Sequence, residues 1–272
     1  MPELPEVETI VNDLAPQAEG RGFQEVLVQW PGAVGKQAPE ELAAGLAGQR
    51  VLRVSRRGKY ILFRLSSGQT LIFHLGMTGR LCVPGPDEPP DPYCRATFHL
   101  DEGRELRFGD VRKFGRIWLV DDAACVVGTL GPDALDPCLG PEGLIERLER
   151  RPGARIKALL LDQAFLAGLG NIYADEALYE ARIHPARRAA TLPEDRVREL
   201  HEAIRVVLQR SIRNRGTSFS DYRDGLGRKG NNQEALLVFR RAGDPCPRCG
   251  TIIRRIVVAG RGTYFCPTCQ QP

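Results

Sequence analysis

Tyr60-Ile61-Leu62-Phe63-Arg64-Leu65, Ser66-Ser67-Gly68-Gln69 and Thr70-Leu71-Ile72-Phe73-His74-Leu75 form the stretch on which the architecture turns. Two runs rich in β-branched and aromatic residues flank a group of turn residues, the pattern of a β-hairpin. Period two is visible in 60–65, but both faces are fairly apolar, as expected of a strand inside a layered structure. Working outward, similar short runs lie at 23–30, 51–56, 95–100, 105–108 and 116–120. Many short strands separated by Gly and Pro turns predict a sandwich or barrel. The segment 84–92 holds five prolines, cannot pair as a central strand, and is expected to be an exposed loop. A short helix, 7–14, precedes the first strand.

The character changes near residue 130. Gly131-Pro132-Asp133 and Asp136-Pro137 read as a linker, and helical periodicity follows at 141–151, 155–163, 169–181 and 193–215. Thr191 is placed to cap the last of these, with Pro193 near its first turn. Residues 216–233 are rich in Gly and charge with no apolar period. They read as a mobile loop longer than compact domains usually tolerate, which directs attention to function. The expected class is α+β: an N-terminal β-sandwich domain (1–130), a linker (131–140), a helical domain (141–236) carrying the 216–233 loop, and a terminal module (237–272).

The 272 residues, 42% hydrophobic and 26% charged, are an ordinary globular composition. The longest apolar runs fall far short of the roughly 18 residues of a membrane span. The acidic, proline-bearing N-terminus lacks the basic and apolar regions of a secretory signal, so a cytoplasmic location is expected. Charge is uneven: residues 1–150 carry 17 Lys and Arg against 22 Asp and Glu, while 151–272 carry 21 against 12. A basic half suits a polyanion such as nucleic acid, or is simply a solvated surface. Only five basic residues are lysines. Arginine forks suit phosphates and base edges, and few side-chain amines compete with the N-terminus as a nucleophile.

Four of the eight cysteines, Cys246, Cys249, Cys266 and Cys269, form two C-x2-C knuckles. In an intracellular chain this spacing predicts one structural Zn2+ in a closed tetrahedral thiolate shell. Runs at 252–258 and 263–265, joined at Ala259-Gly260-Arg261-Gly262, complete a zinc ribbon with Arg261 at its tip. Cys82, Cys94, Cys125 and Cys138 lack ligand spacing and are expected to be free thiols.

The chain opens Met1-Pro2-Glu3-Leu4-Pro5-Glu6-Val7-Glu8-Thr9. Prolines and acids suit a helix start. Removal of Met1 would also expose the secondary amine of Pro2 beside the Glu3 carboxylate, a nucleophile next to an acid/base. Farther on, Gly168-Leu169-Gly170-Asn171-Ile172-Tyr173-Ala174-Asp175-Glu176 joins two helices through a glycine turn, and a helix N-terminus there suits a phosphate.

These three stretches occur in this order in one family. Over essentially its whole length the chain resembles the bacterial formamidopyrimidine-DNA glycosylases, 8-oxoguanine DNA glycosylase/AP lyases. The sister endonuclease VIII group usually begins Pro-Glu-Gly-Pro-Glu, so Leu4 favours the purine-lesion branch. The resemblance implies a bifunctional enzyme of base excision repair that removes oxidised purines and then cleaves the abasic strand by β,δ-elimination. Its implied partner is double-stranded DNA, without a membrane, acting as a monomer near the bacterial nucleoid. It implies further that Pro2 attacks C1′ of the damaged nucleotide, giving an iminium electron sink, and that Glu3 moves protons. Glu6 would bind backbone near the reacting centre. Lys59, His74, Lys157, Asn171 and Arg261 would contact phosphates, although His74 reads equally well as a core histidine. Met77 and Phe114 would be apolar wedges and Arg112 the reader of the orphaned cytosine; without the resemblance these three read as ordinary packing and surface charge.

Two departures stand out. Asp110-Val111-Arg112-Lys113-Phe114 replaces the usual Asp-Pro-Arg-Arg-Phe, which is expected to loosen the wedge loop. Gly230-Asn231-Asn232-Gln233 replaces a Gly-Tyr-Phe-Gln-like segment, leaving Thr217, Ser218 and Tyr222 as weak candidates for base contacts. The alternatives are an endonuclease VIII-like enzyme for oxidised pyrimidines and a non-catalytic zinc-ribbon DNA-binding protein.

Overall fold

Helix α1 (Leu4–Ala18) shows why the first element forms where it does. Pro5 lies in its first turn, where no N–H is missed. Leu4, Val7, Ile10, Val11, Leu14 and Ala18 are buried at helical spacing, a single apolar stripe. The computed structural model of the chain, which describes residues 1–85, 88–89 and 91–272, divides into two compact units. The expected proline-rich loop at 84–92 lies partly outside the described residues.

The first unit comprises residues 1–129 and 214–233. It contains strands β1 (Phe23–Val28), β2 (Val51–Arg57), β3 (Tyr60–Leu65), β4 (Thr70–His74), β5 (Gly79–Cys82), β6 (Cys94–Leu100), β7 (Glu105–Asp110) and β8 (Arg116–Val120). Helices α2 (Pro39–Leu46) and α3 (Ala124–Val127) complete it. The strands make two antiparallel four-stranded sheets, ordered β1-β6-β7-β5 and β2-β3-β4-β8. The hairpin read from 60–75 is the centre of the second sheet, with Phe63 opposite Leu71 and Tyr60 opposite His74. Aromatic edges tie the sheets together. Phe73 of β4 meets Phe98 of β6 at 5.5 Å and Phe108 of β7 at 5.9 Å between ring centroids. Strand β5 and helix α2 extend the elements expected from sequence. Residues 214–233, which the sequence groups with the helical domain, pack instead with this unit.

The second unit comprises residues 130–213 and 234–272. Its helices are α4 (Pro141–Glu149), α5 (Ile156–Leu161), α6 (Asn171–Glu180) and α7 (Glu194–Arg213). Helix α6 packs on α5 and α7, and α4 on α7. The buried positions of α7, Val197, Leu200, Ala203, Ile204, Val207 and Leu208, recur at helical spacing. Thr191 does not cap it; its hydroxyl donates to the Arg188 carbonyl in a preceding 3-10 turn. A terminal hairpin of β9 (Arg254–Val258) and β10 (Arg261–Phe265) follows, in antiparallel register. Among the described residues, no helix is long and apolar enough to cross a membrane.

Candidate functional site

The start of α1 is anchored through one side chain. Glu6 accepts the Glu3 N–H at 2.8 Å through Oε2 and the Thr217 N–H at 2.7 Å through Oε1. Glu3 and Glu6 are 3% and 2% exposed and Pro2 is buried, whereas Met1 is 54% exposed. Glu8 pairs with Arg56 of β2 at 2.7 Å, and Arg56 donates to the Gly58 carbonyl at 3.0 Å. The β2–β3 turn that carries Lys59 is thereby tied to the helix that carries Pro2 and Glu3. Neither Arg56 nor Glu8 carried a sequence signal beyond charge.

Lys59 is buried in that turn, and His74 ends the adjoining strand β4. The Tyr60 ring lies 4.7 Å from the imidazole. The Gly76 N–H donates to His74 Nδ1 at 3.3 Å, which leaves the ring proton on Nε2. Burial, then the positive charge of Lys59, push the imidazole down to about 4. The ring is therefore neutral at pH 7 and offers a single donor, Nε2–H.

Met77, Arg112 and Phe114 are exposed on two abutting turns of the same unit. Gly76 has φ +60, and a Cβ on it would stand 2.8 Å from Gly115 N, so only glycine lets the turns meet. The Arg112 guanidinium lies over the Phe114 ring at 4.7 Å. The looseness expected from Val111 is countered by the buried carboxylate of Asp110. One of its oxygens takes the Arg112 N–H at 3.1 Å and the other the Gly115 N–H at 2.7 Å. Thr78 Oγ1 donates to the first of these oxygens.

In the second unit, Lys157 differs from its sequence reading. Its side chain has no exposed surface and forms an ion pair with Asp175 at 2.7 Å. It also donates to Thr263 Oγ1 at 2.7 Å and the Gly262 carbonyl at 3.3 Å. Burial pushes the Asp175 carboxyl upward while Lys157 pulls it back. A fully buried ammonium cannot itself reach a phosphate, so the expected DNA contact is corrected to an internal brace. Asn171, at the first turn of α6, donates to the same Gly262 carbonyl at 3.0 Å. The tip of the β9–β10 hairpin is thus pinned at Gly262, and the neighbouring Arg261 is exposed. Asp175 also accepts the Tyr264 N–H, and Glu176 accepts the N–H groups of Leu237, Val238 and Phe239, each at 2.9 Å.

The ligand-bearing Sγ atoms of Cys246, Cys249, Cys266 and Cys269 all lie within 4.8 Å of one another. Contacts of 3.9 Å for Cys246–Cys269 and 3.5 Å for Cys249–Cys266 and Cys249–Cys269 fit the edge of a tetrahedron, about 3.8 Å, set by Zn–S bonds of about 2.3 Å. The donor set and its spacing therefore fit one structural Zn2+.

Thr217, Ser218 and Tyr222 were weak candidates for base contacts. Thr217 and Tyr222 are turned inward instead, and Tyr222 joins the core of the first unit. The exposed positions of the loop are Phe219, Ser220, 226–229 and Asn231. Asn232, within the unusual 230–233 segment, is buried; its amide donates to Thr217 Oγ1 at 2.9 Å and accepts from Asn214 at 3.2 Å.

Residues 1–117 match the formamidopyrimidine-DNA glycosylase N-terminal domain, 130–223 the H2TH domain of the same enzymes, and 243–272 a zinc finger found in that enzyme and isoleucyl-tRNA synthetase. The chain belongs to the formamidopyrimidine-DNA glycosylase family. A relative of that name from Chloroflexus aurantiacus is 49% identical, over 99% of this chain and 98% of its own. One from Symbiobacterium thermophilum is also 49% identical, over 99% and 89%. A solved structure of the Lactococcus lactis protein with Fapy-dG-containing DNA superposes with a TM-score of 0.91 at 36% identity, covering 100% of both chains. Another, with DNA containing an abasic site, gives 0.90 at 36%, covering 99% and 100%. Membership makes the protein a DNA glycosylase/AP lyase of base excision repair. It sides with this branch rather than the endonuclease VIII-like alternative, and against a non-catalytic binding protein.

Proposed function

We propose that the enzyme excises oxidised purines, chiefly 8-oxoguanine and formamidopyrimidines, and then cleaves the abasic strand, with Pro2 as nucleophile once Met1 is removed. The observation that carries this reading is the Pro2–Glu3 pair at the anchored start of α1. In the first step the Pro2 nitrogen forms a bond to C1′ and the bond from C1′ to the base breaks. Glu3 supplies a proton to the ring oxygen as the sugar opens. The resulting iminium is an electron sink: a C2′ proton passes to the Glu3 carboxylate as the 3′ phosphate leaves as an anion, and loss of a C4′ proton to solvent then lets the 5′ phosphate leave, after which water frees Pro2 from the sugar fragment.

The remaining roles follow from geometry of the kind each task needs. Lys59 and the Nε2–H of His74 are proposed as phosphate donors in the first unit, and Asn171 and Arg261 in the second. Lys157 acts behind Arg261 by holding Gly262. Met77 and Phe114 are proposed to fill the space left by the extruded nucleotide, with Arg112 meeting the unpaired base. Support for the lesion class comes from the L. lactis structures with Fapy-dG and abasic DNA. A monomer acting on duplex DNA in the bacterial cytoplasm completes the proposal.

Borohydride reduction in the presence of 8-oxoguanine duplex tests the nucleophile. The mature protein should form a covalent adduct, and Pro2→Gly should lose it along with strand cleavage. A Pro2→Gly protein with undiminished activity refutes the assignment. Faster release of thymine glycol than of 8-oxoguanine refutes the lesion class.

A further inference from the structure

Helix α6 meets the terminal module along one face. Asn171, Asp175 and Tyr179 recur at the spacing that places side chains in one row on a helix. Asn171 donates to the Gly262 carbonyl at the hairpin tip, and Asp175 accepts the Tyr264 N–H on β10. Tyr179, in the last turn, reaches the first cysteine knuckle: its hydroxyl lies 3.2 Å from Cys246 Sγ. Its ring is fully buried with Val238, Cys246, Ile253 and Cys266.

The knuckles are held to the same end of the helix by other groups as well. The Arg248 guanidinium lies over the Tyr179 ring at 4.3 Å, donates to the Tyr179 carbonyl at 2.6 Å and pairs with Glu180 at 2.9 Å. In the second knuckle, Gln270 accepts the Cys266 N–H and donates to the Ile183 carbonyl, both at 2.9 Å. These side chains bond backbone and carboxylate groups, whereas the Tyr179 hydroxyl meets a metal ligand. A buried tyrosine hydroxyl needs a partner, and a thiol is a weak one. Zinc changes that balance. The ligand sulfur then carries no proton, so the phenol must be the donor, and the four thiolates hold about two negative charges more than one Zn2+ offsets. A hydrogen bond to an ionised acceptor is roughly twice as strong as one between neutral groups.

We propose that Tyr179 is a positioning residue for the zinc: its hydroxyl donates to the Cys246 thiolate and fixes that ligand to the end of α6, making metal affinity depend on a residue outside the ribbon. Groups just beyond a metal's ligands orient them and strengthen the hold on the ion in this way. The same face of α6 pins Gly262 at its other end, so the metal and the Arg261 tip share one support.

The test uses the full-length zinc-loaded protein and compares Tyr179→Phe and Arg248→Ala with wild type, with circular dichroism as the check on folding. Competition against a chromophoric chelator should show Tyr179→Phe binding Zn2+ about 10- to 100-fold more weakly. Excess Co2+ in place of Zn2+ gives a readout that packing alone would not move. A sulfur that loses its hydrogen bond gives up electron density more readily, so the thiolate-to-cobalt charge-transfer band should shift to lower energy in Tyr179→Phe. Arg248→Ala keeps the phenol and should leave the band in place. If Tyr179→Phe sheds its zinc on purification, the cobalt spectrum still decides. An unchanged Zn2+ affinity, or a cobalt band that does not move, overturns the proposal. A band that moves equally in Arg248→Ala overturns it too, because docking of the knuckle, and not the hydroxyl, would then set the site.

Discussion

Lys157 shows how a residue can be legible in type and not in role. A lysine one helix before a glycine turn looks like a phosphate ligand, yet its ammonium is enclosed by Asp175, Thr263 and the Gly262 carbonyl. Lys157→Ala leaves Asp175 buried without its partner and should cost about 3–5 kcal/mol, read by denaturant unfolding. Lys157→Met combined with Asp175→Asn should recover part of that loss; no recovery would show that the pair is not the main contribution. His74 gives a pH dependence whose sign is fixed. Its folded pKa is about 4 against an ordinary 6.5. As pH falls through this window the unfolded chain binds a proton that the folded chain refuses, so stability present above pH 6.5 is lost progressively toward pH 4. The loss is on the order of 3 kcal/mol. His74→Gln should flatten this part of the acid-side stability curve, and an unchanged slope would refute the assignment.

At the scale of elements, what could be read depended on whether the information was local. The strands at 60–65 and 116–120 carry their own apolar pattern and lie where that pattern puts them. Strand β5, Gly79–Cys82, has four residues and begins with glycine; it is a strand because β7 pairs with it, and nothing in its own composition says so. The Asp110 brace was hidden for a similar reason: its value lies in two N–H groups presented by a turn that the sequence suggests only as loose. The ribbon was legible because metal ligation fixes its spacing. Its hairpin has only two strands and a small core of Tyr179, Val238, Cys246, Ile253 and Cys266, so it should depend on the metal. Chelation should abolish amide-hydrogen protection in 243–272 and weaken DNA binding, while the sandwich strands keep theirs. Retained protection in the ribbon would contradict a structural zinc.

For the molecule as a whole, the uneven charge seen in the sequence becomes a prediction about DNA. Affinity should fall steeply with salt, and Arg261→Ala should reduce the slope of log K against log salt by about one. Lys157→Met, lacking a phosphate contact of its own, should leave that slope unchanged in protein that remains folded. Equal changes in both would mean that the hairpin tip, and not the Arg261 charge, carries the effect. An Asp13–Arg215 ion pair joins residues 202 positions apart, and no local pattern in either segment announces the other. That separation also orders events during synthesis. A ribosome makes α1 and both sheets long before it makes Arg215, since chains emerge from the N-terminal end. The nascent first unit must therefore carry Asp13 and the Glu6 oxygen without their loop partners until the second unit's helices have been translated. The N-terminal end of the protein is the first part made and among the last to be completed, so a chain stalled before residue 215 should hold its strands but lack the finished surface around Pro2.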